Sequence, residues 1–156
     1  LYFNLNPARI FMGDTGSLVL GFVTAVMCVR LMQVSISSPE SVIPYSPVFV
    51  LSIVMIPVFD TLRVFGTRMW KGKSPFSPDK THIHHLLTNQ GFSHAFATKI
   101  ICSMHGIILL VTIWLKNLRQ ELTLAILLAL MILFIFLLKN LGLVIKKKEH
   151  YIREND

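Results

Sequence analysis

Apolar residues fall into four blocks along the chain, separated by polar stretches. The blocks cover residues 17–34, 47–66, 95–115 and 121–145. Each has at least about 17 residues, the short end of what an apolar helix needs to cross a bilayer. Only helices and closed barrels satisfy every backbone hydrogen bond within a bilayer. The pattern therefore predicts an all-α, polytopic integral membrane protein, with about four transmembrane helices in one domain, and Pro57 is expected to kink the second span or lie near its exit.

The polar stretches between the blocks differ in charge. The connection over residues 67–94 and the tail over residues 146–156 are basic, whereas residues 35–46 contain no lysine or arginine. Cytoplasmic connections collect lysine and arginine, so we expect the basic connection and the tail on the cytoplasmic side. Counting spans back places GDTGS at residues 13–17 on that side as well. The topology thus predicts that these segments and residues 60–68 meet at one membrane face.

Composition supports a membrane protein and narrows its partners. Of 156 residues, 53% are hydrophobic and 15% are charged, against about 25% charged in an average soluble domain. The net charge of +7 is compatible with anionic lipid or an anionic substrate. Nucleic acid is disfavoured because the basic residues flank the apolar blocks. Cys28 and Cys102 lie inside apolar blocks, which indicates buried small side chains rather than a disulfide framework.

Asp14 lies in GDTGS, at the start of the first span. One interpretation is a helix N-cap, a position that Asp, Thr and Ser favour. The alternative is a ligand site, since Gly13 and Gly16 let a ligand approach the backbone closely. A carboxylate there could hold Mg²⁺, which binds one or two carboxylates together with substrate phosphate oxygens.

Three histidines, His82, His84 and His85, follow a proline-rich polar segment. Asp79 or Thr81 could cap a short helix there, on which His82 and His85 would share a face. Solvated loop histidines and a zinc site are two interpretations, although no cysteine lies nearby. The third is binding or proton transfer at a diphosphate, since histidine titrates near neutrality and donates to phosphate oxygens.

Basic residues beside the spans are expected for topology alone. Arg68 and Lys73 are the candidates for an additional role, because a diphosphate near the histidines needs cationic partners. Asp60 is predicted to pair with Arg63, three residues on, in a structural role. His94 is expected to be an ordinary loop residue.

Two segments resemble a known family. NPARIFMGDTGSLVLGF at residues 6–22 and PVFDTLRVFGTRMWKGKSPFSPDKTHIHHLL at residues 57–87 are similar to the polyprenyl-phosphate N-acetylhexosamine-1-phosphate transferases. The HIHH pattern at residues 82–85 resembles the UDP-N-acetylglucosamine branch of that family. The resemblance implies a Mg²⁺-dependent glycosyl-1-phosphate transferase. Such an enzyme transfers N-acetylglucosamine-1-phosphate, or a related N-acetylhexosamine-1-phosphate, from a UDP-sugar to undecaprenyl phosphate, and releases UMP.

The same resemblance implies roles for single residues. Asp14 is expected to bind Mg²⁺, with Mn²⁺ as an alternative, and Phe11 to stack on the uracil ring. The histidines of HIHH and Arg68 are expected to line the diphosphate site. Together with the candidates identified above from their chemistry, the predicted site comprises Phe11, Gly13, Asp14, Arg68, Lys73, His82, His84 and His85.

The sequence also departs from the family. The family's adjacent aspartate pair and its Asn/Asp-rich loop, both from the N-terminal half, do not occur here. The resemblance implies that this chain is the C-terminal part of a longer enzyme in the bacterial cytoplasmic membrane, and that it is inactive without the other half. A homodimer is left open. A transporter with a histidine metal site or proton relay is the alternative function, but it requires ionisable residues within the spans.

Overall fold

Helices make up the regular structure of the part of the chain that the computed structural model describes, residues 12–37, 47–76 and 81–155. In chain order they are α1 (Gly13–Ser37), α2 (Pro47–Ile53), α3 (Met55–Trp70), α4 (Ile83–Thr88), α5 (His94–Trp114) and α6 (Gln120–Asn155). The described residues contain no strand. The predicted all-α fold is confirmed.

Three segments are long and apolar enough to cross a membrane, namely Gly13–Ser35, His94–Trp114 and Gln120–Gly142. The second predicted span is divided into α2 and α3, whose axes differ by 78°, so the pair is either one broken span or a re-entrant segment. The break lies at Val54, three residues before Pro57. Proline has no N–H to bond the carbonyl four residues earlier, and its ring clashes with that carbonyl, which here belongs to Ile53. The bend expected from Pro57 therefore occurs one turn upstream of it.

The core lies where α2, α4, α5 and α6 pack together. The α6 helix contributes a stripe at helical spacing, and the others supply residues that face it. The buried residues of this core include Val48 of α2, Met55 of α3, Ile83 and Leu87 of α4, Ala97, Met104 and Ile108 of α5, and Leu127, Met131, Ile135 and Leu138 of α6. An isolated six-residue helix is unstable in water, so burial of one face holds α4 in place.

Two local features set the ends of the segment around α4. After α3, Gly72 adopts a φ of +66°, and the N–H groups of Gly72 and Lys73 donate to the carbonyls of Met69 and Arg68. This is the Schellman arrangement, in which glycine takes the left-handed position and the chain turns away from the helix. Before α5, the Ser93 hydroxyl accepts a hydrogen bond from the Phe96 N–H and caps the helix.

Candidate active site

Asp60, on the second turn of α3, joins that helix to the start of α4. Its Oδ1 lies 2.7 Å from Nη2 of Arg63, and its Oδ2 lies 2.9 Å from Nδ1 of His82. Both carboxylate oxygens are 3.2 Å from the backbone nitrogen of Ile83. Arg63 also donates to the carbonyl of Thr81. The predicted Asp60–Arg63 pair is thus present, but the carboxylate has further partners that sequence analysis did not identify.

The α4 helix begins one residue later than a cap at Thr81 would place it, and three residues later than a cap at Asp79 would. Its first helical residue is Ile83, and its N-cap position is His82, whose own side chain makes no capping hydrogen bond. Asp60 supplies the capping acceptor from α3, because its carboxylate receives the Ile83 N–H. Thr81 lies outside the helix, and Asp79 falls outside the described residues. The expectation that His82 and His85 share a helix face was wrong, since His82 precedes the helix.

His84 pairs with a residue that was expected to be ordinary. Nε2 of His84 lies 3.2 Å from Nδ1 of His94, and the two rings stack with centroids 5.1 Å apart. His85 meets His84 edge to face at 5.5 Å. Desolvation by partial burial, and then the positive charges of protonated His94 and His85, lower the pKa of His84. The prediction for His94 was wrong because it begins α5 and faces α4, a tertiary contact without a local sequence signal.

Arg68 and Lys73 occupy different environments at the end of α3. Arg68 is 8% exposed, and its guanidinium donates to the carbonyl of Pro75. Lys73 is exposed. Phe76 packs edge to face on Phe65, with ring centroids 5.6 Å apart. Arg68 therefore has a role in holding the loop after α3, whereas the side chain of Lys73 is accessible to an anion.

Asp14 lies in the first turn of α1, which begins at Gly13, so it does not precede the helix as an N-cap would. The Asp14 residue is exposed, and its carbonyl accepts a hydrogen bond from the Ser17 hydroxyl. Gly13 has a φ of +68°, and no atom of the described residues lies within 4 Å of where its Cβ would be. The described contacts of Asp14 do not reach the histidines. Phe11 lies outside the described residues.

The donor set bears on which metal the chain could hold. Within residues 12–37, 47–76 and 81–155, no group of three or more His, Cys, Asp or Glu side chains is placed to bind a metal. A structural zinc site normally needs four such ligands, so the zinc interpretation of the histidines gains no support from the described residues. One exposed carboxylate, as at Asp14, still fits a Mg²⁺ ion whose other ligands are water and substrate oxygens.

The sequence of this chain is similar to one family model and to several bacterial transferases. The model of glycosyl transferase family 4 matches residues 1–32. Over 147 residues, 94% of this chain, the sequence is 34% identical to the probable undecaprenyl-phosphate N-acetylglucosaminyl 1-phosphate transferase of Bacillus subtilis (strain 168), of which it covers 39%. Over 93 residues, 60% of this chain, it is 41% identical to the undecaprenyl-phosphate alpha-N-acetylglucosaminyl 1-phosphate transferase of Yersinia pestis. The same length is 39% identical to the enzyme of that name in Escherichia coli (strain K12), and in both cases 24% of the relative is covered.

This chain therefore spans about two-fifths of the first of these relatives and about a quarter of the other two. No solved structure matches it significantly. The resemblance predicted from the two motifs is confirmed: the chain is similar in sequence to part of the undecaprenyl-phosphate N-acetylglucosaminyl 1-phosphate transferases.

Proposed function

We propose that the intact protein containing this chain transfers N-acetylglucosamine-1-phosphate, or a related N-acetylhexosamine-1-phosphate, from a UDP-sugar to undecaprenyl phosphate. The names of the relatives support the lipid acceptor and the sugar. The basic connection and histidines support a site for a diphosphate at the cytoplasmic end of the spans. All three relatives described above carry transferase names, which favours a transferase over the transporter alternative.

In the proposed reaction, an oxygen of the lipid phosphate forms a bond to the β-phosphorus of the UDP-sugar. The bond between that phosphorus and the oxygen bridging to the α-phosphorus breaks, and UMP leaves with the bridging oxygen and its electron pair. The products are UMP and the lipid diphosphate sugar. Phosphoryl transfer of this kind depends on positioning and on neutralising charge rather than on covalent chemistry by the protein.

The observation that carries the proposal is the attachment of the histidine segment to α3. Asp60 fixes His82 through its side chain and Ile83 through its backbone, while Arg63 fixes Thr81. These bonds hold the partly exposed imidazole of His82 at a defined position against α3. A rigid set of donors is what a diphosphate needs when its charge is redistributed in the transition state.

Asp14 is the residue that would hold Mg²⁺, together with groups outside this chain. When bound, Mg²⁺ would offset negative charge on the diphosphate. The protein's own contribution there is an exposed carboxylate on the first turn of α1.

The test is UMP release by the intact protein in detergent, with undecaprenyl phosphate, a panel of UDP-sugars, and Mg²⁺ present or removed. We expect activity with UDP-GlcNAc or a related UDP-N-acetylhexosamine, and a loss of at least about tenfold for Asp14→Asn and for His82→Ala. His105→Ala, a histidine substitution within α5, is the matched control and should keep activity. Unchanged UMP release in both site variants would contradict the proposal.

A further inference from the structure

Asp60 and His82 form a pair in which the carboxylate is the more buried partner. The Asp60 side chain is 13% exposed, while that of His82 is 41% exposed. The imidazole therefore contacts a shielded carboxylate and is itself partly exposed. In enzymes, a carboxylate in this position sets the orientation and tautomer of the histidine that meets the substrate.

The hydrogen bond determines which ring nitrogen is available. A carboxylate paired with Arg63 accepts hydrogen bonds and has no hydrogen to donate. The short contact of 2.9 Å between Oδ2 and Nδ1 thus places the hydrogen of that bond on Nδ1 of His82. Nε2 is then the nitrogen that remains for a ligand, either as an acceptor in the neutral ring or as a donor in the protonated ring.

The carboxylate is itself held in place, so the pair does not depend on one contact. Arg63 fixes Oδ1 from the same helix, and the Ile83 N–H contacts both oxygens. Ile83 is only 2% exposed, which ties the backbone beside His82 to the hydrophobic core. Rotation of the Asp60 carboxylate would break bonds to three different groups.

We propose that Asp60 is a positioning residue, which holds His82 in the Nδ1–H tautomer and leaves Nε2 free to bind a phosphate oxygen of the substrate. Asp60 acts through His82 and does not touch the substrate. The inference rests on the proposed function for its kinetic consequence, but the hydrogen-bond arrangement itself can be tested without any activity.

The kinetic test uses the intact protein and Asp60→Asn. The amide can donate to Nδ1, which admits the other tautomer, so we expect kcat for UMP release to fall about tenfold or more. The KM for the UDP-sugar should stay within about threefold, because the ring is still present to bind it. In the His82→Ala background, Asp60→Asn should cause no further loss. A full additional loss in that background would overturn the proposal.

Arg63→Gln is the matched control for a purely structural role. It removes the other partner of Asp60 and the bond to Thr81, but keeps the carboxylate beside His82. If Asp60 served only to hold the segment, both variants would lower activity in the same pattern, and their losses would persist in the His82→Ala background. The proposal requires a different pattern. In the His82→Ala background, Asp60→Asn should cause no further loss of activity, whereas Arg63→Gln should still cause most of its loss.

The spectroscopic test measures ¹⁵N shifts of selectively labelled histidine in the unaltered intact protein, with the His82 signals assigned by their absence in His82→Gln. We expect the neutral ring of His82 to carry its hydrogen on Nδ1. A hydrogen on Nε2 would overturn the proposal even if Asp60→Asn fails to fold. If the protein releases no UMP with any UDP-sugar but shows the Nδ1–H tautomer, the proposed function fails and the Asp60–His82 arrangement stands.

Discussion

Nε2 of His84 lies 3.2 Å from Nδ1 of His94, and the two rings are stacked across the junction between α4 and α5. At this contact one nitrogen donates and the other accepts, so the hydrogen bond requires at least one neutral ring. His84 lies outside the segments long and apolar enough to cross a membrane, and His94 is the first residue of one of them. The contact therefore makes the packing of α4 on α5 sensitive to protonation.

Acidification is expected to destabilise the protein through His84. The pKa of His84 is lowered in the folded state, first by desolvation and then by His94 and His85. The unfolded chain thus binds a proton more readily, so stability is lost as the pH falls below the ordinary histidine value of about 6.5, and it is unaffected by this group above that value. Thermal unfolding in detergent between about pH 7.5 and about pH 5.5 measures the effect.

An NMR titration of labelled histidine separates the causes. In His94→Ala, the pKa of His84 should rise relative to the unaltered protein, because one positive neighbour and its stacked ring are gone, yet stay below its ordinary value because His85 and the remaining burial still lower it. His105→Ala is the control and should leave the titration of His84 as it was. Identical His84 titrations in all three proteins would show that the contact with His94 is not formed.

Arg68→Ala is expected to destabilise the protein. The substitution removes a nearly buried guanidinium that donates to the Pro75 carbonyl, and a hydrogen bond to a charged group contributes about 1.5–3 kcal/mol. Lys73→Ala, at an exposed position in the loop that follows α3, should change stability by no more than about 0.5 kcal/mol. Thermal unfolding in detergent compares the two variants. Loss of activity in Arg68→Ala without a change in stability would instead indicate a direct phosphate contact.

Gly142→Ala is expected to disturb the attachment of the α4 segment to α6. A Cβ at position 142 would lie 2.5 Å from Nε2 of Gln90, which donates to the carbonyl of Leu138 over 2.9 Å. Displacing Gln90 breaks this hydrogen bond, which should lower the free energy of unfolding by about 1 kcal/mol. The loss offsets the increase of up to about 1 kcal/mol that replacing glycine by alanine brings within a helix. Gly106→Ala in α5, where a Cβ would meet no atom of the described residues within 4 Å, is the matched control.

In thermal unfolding, the Gly142→Ala protein should therefore be less stable than the Gly106→Ala protein by about 1 kcal/mol or more. The difference should shrink in a Gln90→Ala background, where the obstructing side chain is absent. Equal stability of the two glycine variants would show that Gln90 does not occupy the space beside Gly142.

The isolated 156-residue chain is expected to release no UMP above background. Its sequence contains no pair of adjacent aspartates, a feature that the family resemblance implies for a complete site. The chain purified in detergent, assayed beside the intact protein with the same substrates, measures this. Turnover by the isolated chain would mean that Asp14 and the histidine segment suffice for catalysis.

The sequence by itself determined the all-α fold, three membrane-length helices and the family resemblance, because long apolar blocks and contiguous motifs are local signals. Proximity in sequence also gave the Asp60–Arg63 pair, which lies on successive turns of one helix. Only the tertiary structure decided how the histidines divide, with His82 on Asp60 and His84 on His94. Those partners are 22 and 10 residues away, and which side chains meet depends on how Ile83 and Leu87 bury α4 in the core. Helical periodicity cannot supply this information, since His82 precedes its helix and packing rather than local preference fixes where that helix begins.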